Sequence, residues 1–130
     1  MSFWATFGLN ITNLEVFKNN CEKHGITYQE NLDPAFMFRG EKVVATLREG
    51  SQTYGNAYLV ESGGGIKLSW DNDPNYNSMC RRLGQNGGKL TRDYSVDMVR
   101  RNVMSNGGLI TQQTEQPDGS IILKAAVGGA

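Results

Sequence analysis

Ser95-Val-Asp-Met-Val-Arg-Arg-Asn-Val-Met104 is followed by Asn106-Gly107-Gly108 and then by Leu109-Ile-Thr-Gln-Gln-Thr114. The reading of this stretch decides the fold class. Val96, Val99 and Val103 recur at i, i+3 and i+7, and Tyr94 and Met98 widen the stripe, which is the period of an amphipathic helix. Asp93 or Ser95 can accept a free amide at its start. Asn106-Gly107-Gly108 ends it, because glycine takes the left-handed C-cap position at little steric cost. Gln116-Pro-Asp-Gly119 then separates Leu109–Thr114 from Ser120–Ala126. Proline presets φ for the first corner and Asp-Gly supplies the rest, so the two runs read as a β-hairpin.

Upstream, the same rules give several more short elements. Phe3, Ala5, Phe7 and Leu9 alternate with Trp4, Thr6 and Gly8, the period of a strand. Thr12 and Glu15 stand as a capping box, with Ile11 and Val16 as its hydrophobic staple. Leu14, Phe17 and Cys21 line one face of the helix expected over 13–24, and Gly25 closes it. Strands are expected at 26–31, 36–39, 42–48, 56–61 and 66–71, the last two joined through Ser62-Gly63-Gly64-Gly65. Asp73 as N-cap and Pro74 at the first helical position open a second helix reaching Leu83, and Gly84-Gln-Asn-Gly-Gly88 breaks it. The order is β-α-β-β-β-β-α-β-β. This is an α+β fold, a single antiparallel sheet containing a meander, with two or three helices on one face. No linker or repeat divides residues 1–130, so one domain is expected.

Composition narrows the function classes. Thirteen basic and thirteen acidic residues cancel, so no net field draws the chain to nucleic acid or an anionic membrane. The apolar share of 38% suits a soluble globular domain. Sixteen glycines are twice the usual share of roughly 7%, as befits short elements joined by tight turns. Cys21 and Cys80 are the only cysteines, and Met1-Ser2-Phe3-Trp4 lacks the basic and apolar regions of a secretory signal. Reduced, buried thiols in a cytoplasmic or plastid-stroma compartment are expected. No apolar run is long enough to insert in a membrane.

Each glycine-rich or acidic motif falls short of a chemical one. Gly84–Leu90 resembles a phosphate loop but has Leu83 where the first glycine belongs and Leu90 where the magnesium-binding hydroxyl belongs. Asp71–Tyr76 opens like a calcium loop, yet Tyr76 and Arg82 occupy the glycine and glutamate positions. Cys21 and His24 share a helix face, but zinc needs three or four ligands and only Cys80 remains among the soft ones. His24 is the sole histidine, and nothing pairs it with a nucleophile and an orienting acid. No catalytic residue, metal or cofactor is expected, and the chain reads as a non-enzyme. One window is locally basic: Arg81, Arg82, Lys89 and Arg92, continuing to Arg100 and Arg101, stand against Asp93 and Asp97 only, with Trp70 and Tyr76 just upstream. Trp70, Arg81, Arg82, Lys89 and Arg92 are the candidate ligand-binding residues.

Ser2-Phe3, Ile11-Thr-Asn-Leu-Glu-Val-Phe17 and His24-Gly25 resemble the start of a family of small proteins of unknown function. The family is named for hypothetical chloroplast reading frame thirty-five and is found in algal plastids and cyanobacteria. Leu90-Thr-Arg-Asp-Tyr94, Gly107-Gly-Leu-Ile110 and Gln116-Pro-Asp-Gly-Ser-Ile121 are similar to its closing helix and hairpin turn. The middle of the chain departs from the family, and Phe3 stands where its members carry histidine. The resemblance carries over no catalytic residue. It implies an accessory protein of a photosynthetic cell or its phage, in the cytoplasm, the plastid stroma or, if phage-encoded, the host cytoplasm. The expected function is a non-enzymatic interaction or oligomerisation module with a protein partner or a second copy of itself. The alternative is nucleic-acid or anionic small-ligand binding through residues 81–101.

Overall fold

The computed structural model describes residues 3–50 and 57–127. Ser2 and Asn56, which figured in the expectations above, lie outside them. By its internal contacts the chain divides into two compact units, Met1–Leu90 and Thr91–Ala130.

Six strands build the first unit: β1 (Trp4–Thr6), β2 (Ile26–Glu30), β3 (Met37–Phe38), β4 (Glu41–Glu49), β5 (Ala57–Ser62) and β6 (Gly65–Asp71). All pair antiparallel in the order β1-β6-β5-β4-β2, with β3 also on β4. Helix α1 (Leu14–Lys23) connects β1 at one edge to β2 at the other. The meander is local chemistry. Gly63 and Gly64 both have positive φ, 59° and 81°, which is what a two-residue turn between β5 and β6 requires.

Register sorts the sheet into two faces. Tyr28, Leu47, Ala57, Trp70 and Ala5 follow one another across the strands, and Ala45, Leu59 and Leu68 form the next row. Leu47, Ala57, Trp70, Ala45, Leu59 and Leu68 are wholly buried, as are Phe17 and Cys21 of α1 and Met79 of α2 (Ser78–Leu83). Ala57 beside Trp70, and Ala45 beside Leu59, leave room for the larger neighbour. A Cβ on Gly87 would stand 3.2 Å from both the Trp70 ring and Leu68, at a φ of +59°, so only glycine fits there.

The second unit holds most of α3 (Gly88–Ser105) and the hairpin of β7 (Gly108–Glu115) and β8 (Ile121–Val127). Gly119 at φ +87° donates to the Gln116 carbonyl, and Asp118 accepts from both the amide and the hydroxyl of Ser120, as a Pro-Asp-Gly turn should. On one hairpin face Glu115 receives Arg92 at 3.0 Å and Gln113 receives Arg100, so α3 lies over that face.

The α+β class and the mainly antiparallel sheet stand as expected, with three corrections. First, the hairpin strands pair only with each other and form a second, small sheet. The five strands expected one by one between α1 and α2 are present, although the order β-α-β-β-β-β-α-β-β counts four, and α1, α2 and α3 fall within the expected two or three helices. Second, the helix caps move. Asn13, not Thr12, caps α1 by accepting from the Val16 amide at 3.1 Å, and Asn77, not Asp73, caps α2 by accepting from the Met79 amide. Asp73 instead holds the turn before α2 by accepting from the Asn75 amide. Third, α3 begins at Gly88, so Asp93 and Ser95 lie inside it. Burial of Leu90 and Tyr94, one turn apart, outweighs the poor helix propensity of Gly88.

Candidate functional site

Of the five residues singled out by sequence, Trp70, Arg81, Arg82 and Lys89 belong to the first unit and Arg92 to the second. Trp70 is wholly buried, so its ring has no face left for a ligand. Arg82 makes a two-point contact with Glu49 of β4, 2.6 Å to one carboxylate oxygen and 3.3 Å to the other, while Ser78 reaches the same carboxylate at 3.2 Å. That network ties α2 to the sheet. Arg81 donates to the Pro74 carbonyl at 2.8 Å, closing the turn before its own helix. Lys89 is exposed in the first turn of α3. Arg92, in the second unit, is held by Asp93, Glu115 and the Gly119 carbonyl. Three of the four cations are thus committed to intramolecular partners.

A different set comes together on the sheet face away from α1. Trp4 and Thr6 of β1, Ser69 of β6, Tyr58 of β5, Thr46 of β4 and Gln29 of β2 share it by register. Above them four rings meet. Centroids of Trp4 and Phe38 are 4.6 Å apart, Phe38 and Tyr58 4.6 Å, Trp4 and Tyr58 5.7 Å, and Phe36 and Tyr58 5.9 Å. The Trp4 and Tyr58 planes differ by only 17°. Val43 and Val60, paired on this same face, are buried. The rings themselves are half-exposed, and Phe36 is 38% exposed. Sequence reading passed over this cluster because its members lie on β1, β5 and the β3 segment, which alternation alone cannot bring together. The available signal was Phe36 and Phe38 at i and i+2.

A second exposed surface lies on the outer face of the hairpin. Register puts Leu109 with Ala126, Gln112 with Lys124 and Thr114 with Ile122 on the side away from α3. Leu109 is 65% exposed and Ile122 49%. As a two-stranded sheet, β7-β8 also leaves both outer edges without a strand partner among the described residues.

The thiols occupy neither surface. Cys21 and Cys80 are free and buried, and burial pushes both thiols above their ordinary range, with Glu22 adding to the effect at Cys21. A folded-state pKa above the unfolded one means that stability is complete below the unfolded value, about pH 8.5. It falls as the pH climbs past that point, because only the unfolded thiol ionises. Urea midpoints are therefore expected to hold steady through neutral pH and decline above about pH 9. Cys21→Ala should flatten that decline, and an equal decline in the variant would refute the assignment.

Among the described residues no three His, Cys, Asp or Glu side chains are placed to share a metal ion, and no helix is long and apolar enough to cross a membrane. Comparison with protein-family models, with curated proteins and with solved structures finds no match in any of the three.

Proposed function

We propose that this chain is a non-enzymatic interaction module that associates with a second copy of itself through the β7-β8 hairpin. The observation that carries the reading is the exposed apolar face of Leu109 and Ile122 on a sheet of only two strands. Two strands are marginal in water; here one face is packed by α3, and the opposite face is left uncovered. An edge strand as apolar as Ile121-Ile-Leu-Lys-Ala-Ala-Val127, with one charge, is a ready template for another strand. Packing of this outer face against the same face of a second copy covers Leu109 and Ile122 and supplies the second apolar layer that a two-stranded sheet lacks. Zero net charge leaves no long-range repulsion to oppose it. The likeness to the chloroplast reading-frame family belongs to this proposal as a statement of descent, and the proposed place of work is the interior of a photosynthetic cell.

Light scattering coupled to size exclusion, across a wide dilution series, tests the reading. A dimer is expected that dissociates on dilution. Ile122→Lys and Leu109→Lys should each weaken it by roughly tenfold or more. Both sites are exposed, so each should leave monomer stability within about 0.5 kcal/mol. A monomer at every concentration, or a dimer indifferent to both substitutions, refutes it.

A further inference from the structure

The aromatic face of the first unit is separate from the hairpin and carries a charge pattern that the neutral chain as a whole conceals. The strands sort their charges by side. Glu30, paired with Ala45, Glu49, paired with Ile26, and Glu61, paired with Ile66, all point to the face that bears α1. On the aromatic face, Lys67 pairs with Val60, two residues from Tyr58, and Arg48 lies two residues from Thr46, the partner of Tyr58. Arg39, in the turn after β3, holds its guanidinium 5.6 Å from the Phe38 ring centroid. Against these three cations stand Glu41, paired with Phe38, and Asp71, paired with Trp4. Asp71 is 1% exposed, and its carboxylate already accepts from the amides of Phe3 and Asp73. The Nε of Arg48 is buried and has no hydrogen-bond partner among the described residues. Among the described residues, three cations stand against Glu41 and the exposed Asp33 of the turn into Phe36, and a face of net positive charge around four rings is complementary to a polyanion that also carries flat, stackable groups.

We infer that the aromatic face of the six-stranded sheet binds single-stranded nucleic acid. Bases stack on the half-exposed rings of Trp4, Phe36 and Tyr58, and the phosphates are met by Arg39, Arg48 and Lys67. Stacking needs an unpaired base with a free π-face, which a duplex does not offer. The centre of a protein-binding patch is depleted of charge, whereas here Arg39 stands over the Phe38 ring, and Arg48 and Lys67 share the face by register. The rings accept any base, so recognition is tolerant of sequence. With three cations engaged and a single-strand factor of about 0.7 per phosphate, log affinity should fall with log salt at a slope of about −2.

The test uses the full chain with end-labelled oligothymidylate and oligouridylate of roughly ten nucleotides, and a duplex of equal length, read by fluorescence anisotropy at low salt. Trp4 supplies an independent signal. Trp70 is buried, so stacking quenches the exposed component of tryptophan emission, and Trp4→Phe abolishes the quench. Phe36→Ala and Arg39→Gln lie at exposed positions, and circular dichroism confirms that each variant is folded. Phe36→Ala should weaken binding roughly fivefold or more. Arg39→Gln should reduce the salt slope by about 0.7. Arg81→Gln and Lys89→Gln, in the basic window of the sequence, should leave affinity unchanged. Binding of the thymidylate or the uridylate in preference to the duplex supports the inference. Equal binding of the duplex overturns it, as does sensitivity to Arg81→Gln or Lys89→Gln without sensitivity to Phe36→Ala. So does failure of both oligonucleotides while a proline-rich peptide quenches Trp4. Because Ile122→Lys leaves this face intact, loss of self-association in that variant and loss of oligonucleotide binding are scored separately.

Discussion

Replacing Trp70 by alanine is expected to lower the free energy of unfolding by about 3–5 kcal/mol, the range for deleting a fully buried large ring. The indole stands in a row with Ala57, Leu47 and Ala5 and lies against Gly87. Ala57 and Gly87 beside it have no side chain that could extend into the space. Its N–H has only the Cys80 sulfur nearby, a weak acceptor, and no full hydrogen-bond partner. Trp70→Phe should therefore cost markedly less, because the group it removes was poorly satisfied. Urea unfolding followed by circular dichroism measures both. A ring kept for stacking on a ligand would instead be nearly neutral for stability, so a Trp70→Ala change below about 1 kcal/mol would refute the core assignment.

Asn77→Ala should come next, at about 2–4 kcal/mol, because two separate losses fall on one side chain. Its Oδ1 accepts from the Met79 amide at 3.1 Å and caps α2. Its Nδ2 donates to the Asp71 carbonyl at 2.9 Å, and the residue is wholly buried. Truncation strands an amide at a helix start and a carbonyl inside the protein. Asn77→Asp keeps the acceptor but loses the donor and buries a carboxylate near Asp71 and Asp73, so it should not rescue stability. If α2 were instead capped at Asp73, Asn77→Ala would be mild, and equilibrium unfolding distinguishes the two.

The elements legible in the sequence are those whose cause is local. Ile11 and Val16 are both buried at the start of α1, although the cap between them is Asn13 rather than Thr12, and Gly25 at φ +71° follows the end of the helix. The Pro-Asp-Gly turn forms as read, and Ala45 and Leu47 alternate onto one buried face, whereas a bulge between Val43 and Ala45 turns Val43 to the other side of the sheet. The misreadings lie where a distant contact decides between neighbouring choices. Asp73 and Asn77 are both competent N-caps by residue type, and Asn77 prevails because its amide also reaches Asp71, six residues back. Gly84–Gly88 reads as a break, yet helix resumes at Gly88. Asn86 is tied to Asn72 by two hydrogen bonds of 2.6 and 2.9 Å, which brings the loop back to the end of β6.

The candidate surfaces divide in the same way. That Leu109 and Ile122 would alternate along two strands is written in the residues themselves, but their exposure follows only once α3 takes the opposite face of the hairpin. Trp4, Phe36, Phe38 and Tyr58 carry no shared motif. They meet because β1 and β3 pair with different strands of one sheet whose register turns all four toward the same side. The sequence by itself determined the secondary elements, the turns between them and the α+β class, since propensity, capping and alternation act within a few residues. Strand order, the choice among competing caps, and which aromatic residues are core and which are surface were decided by the tertiary structure. Those outcomes depend on groups brought together across tens of residues, where hydrophobic burial and backbone pairing outweigh local preference.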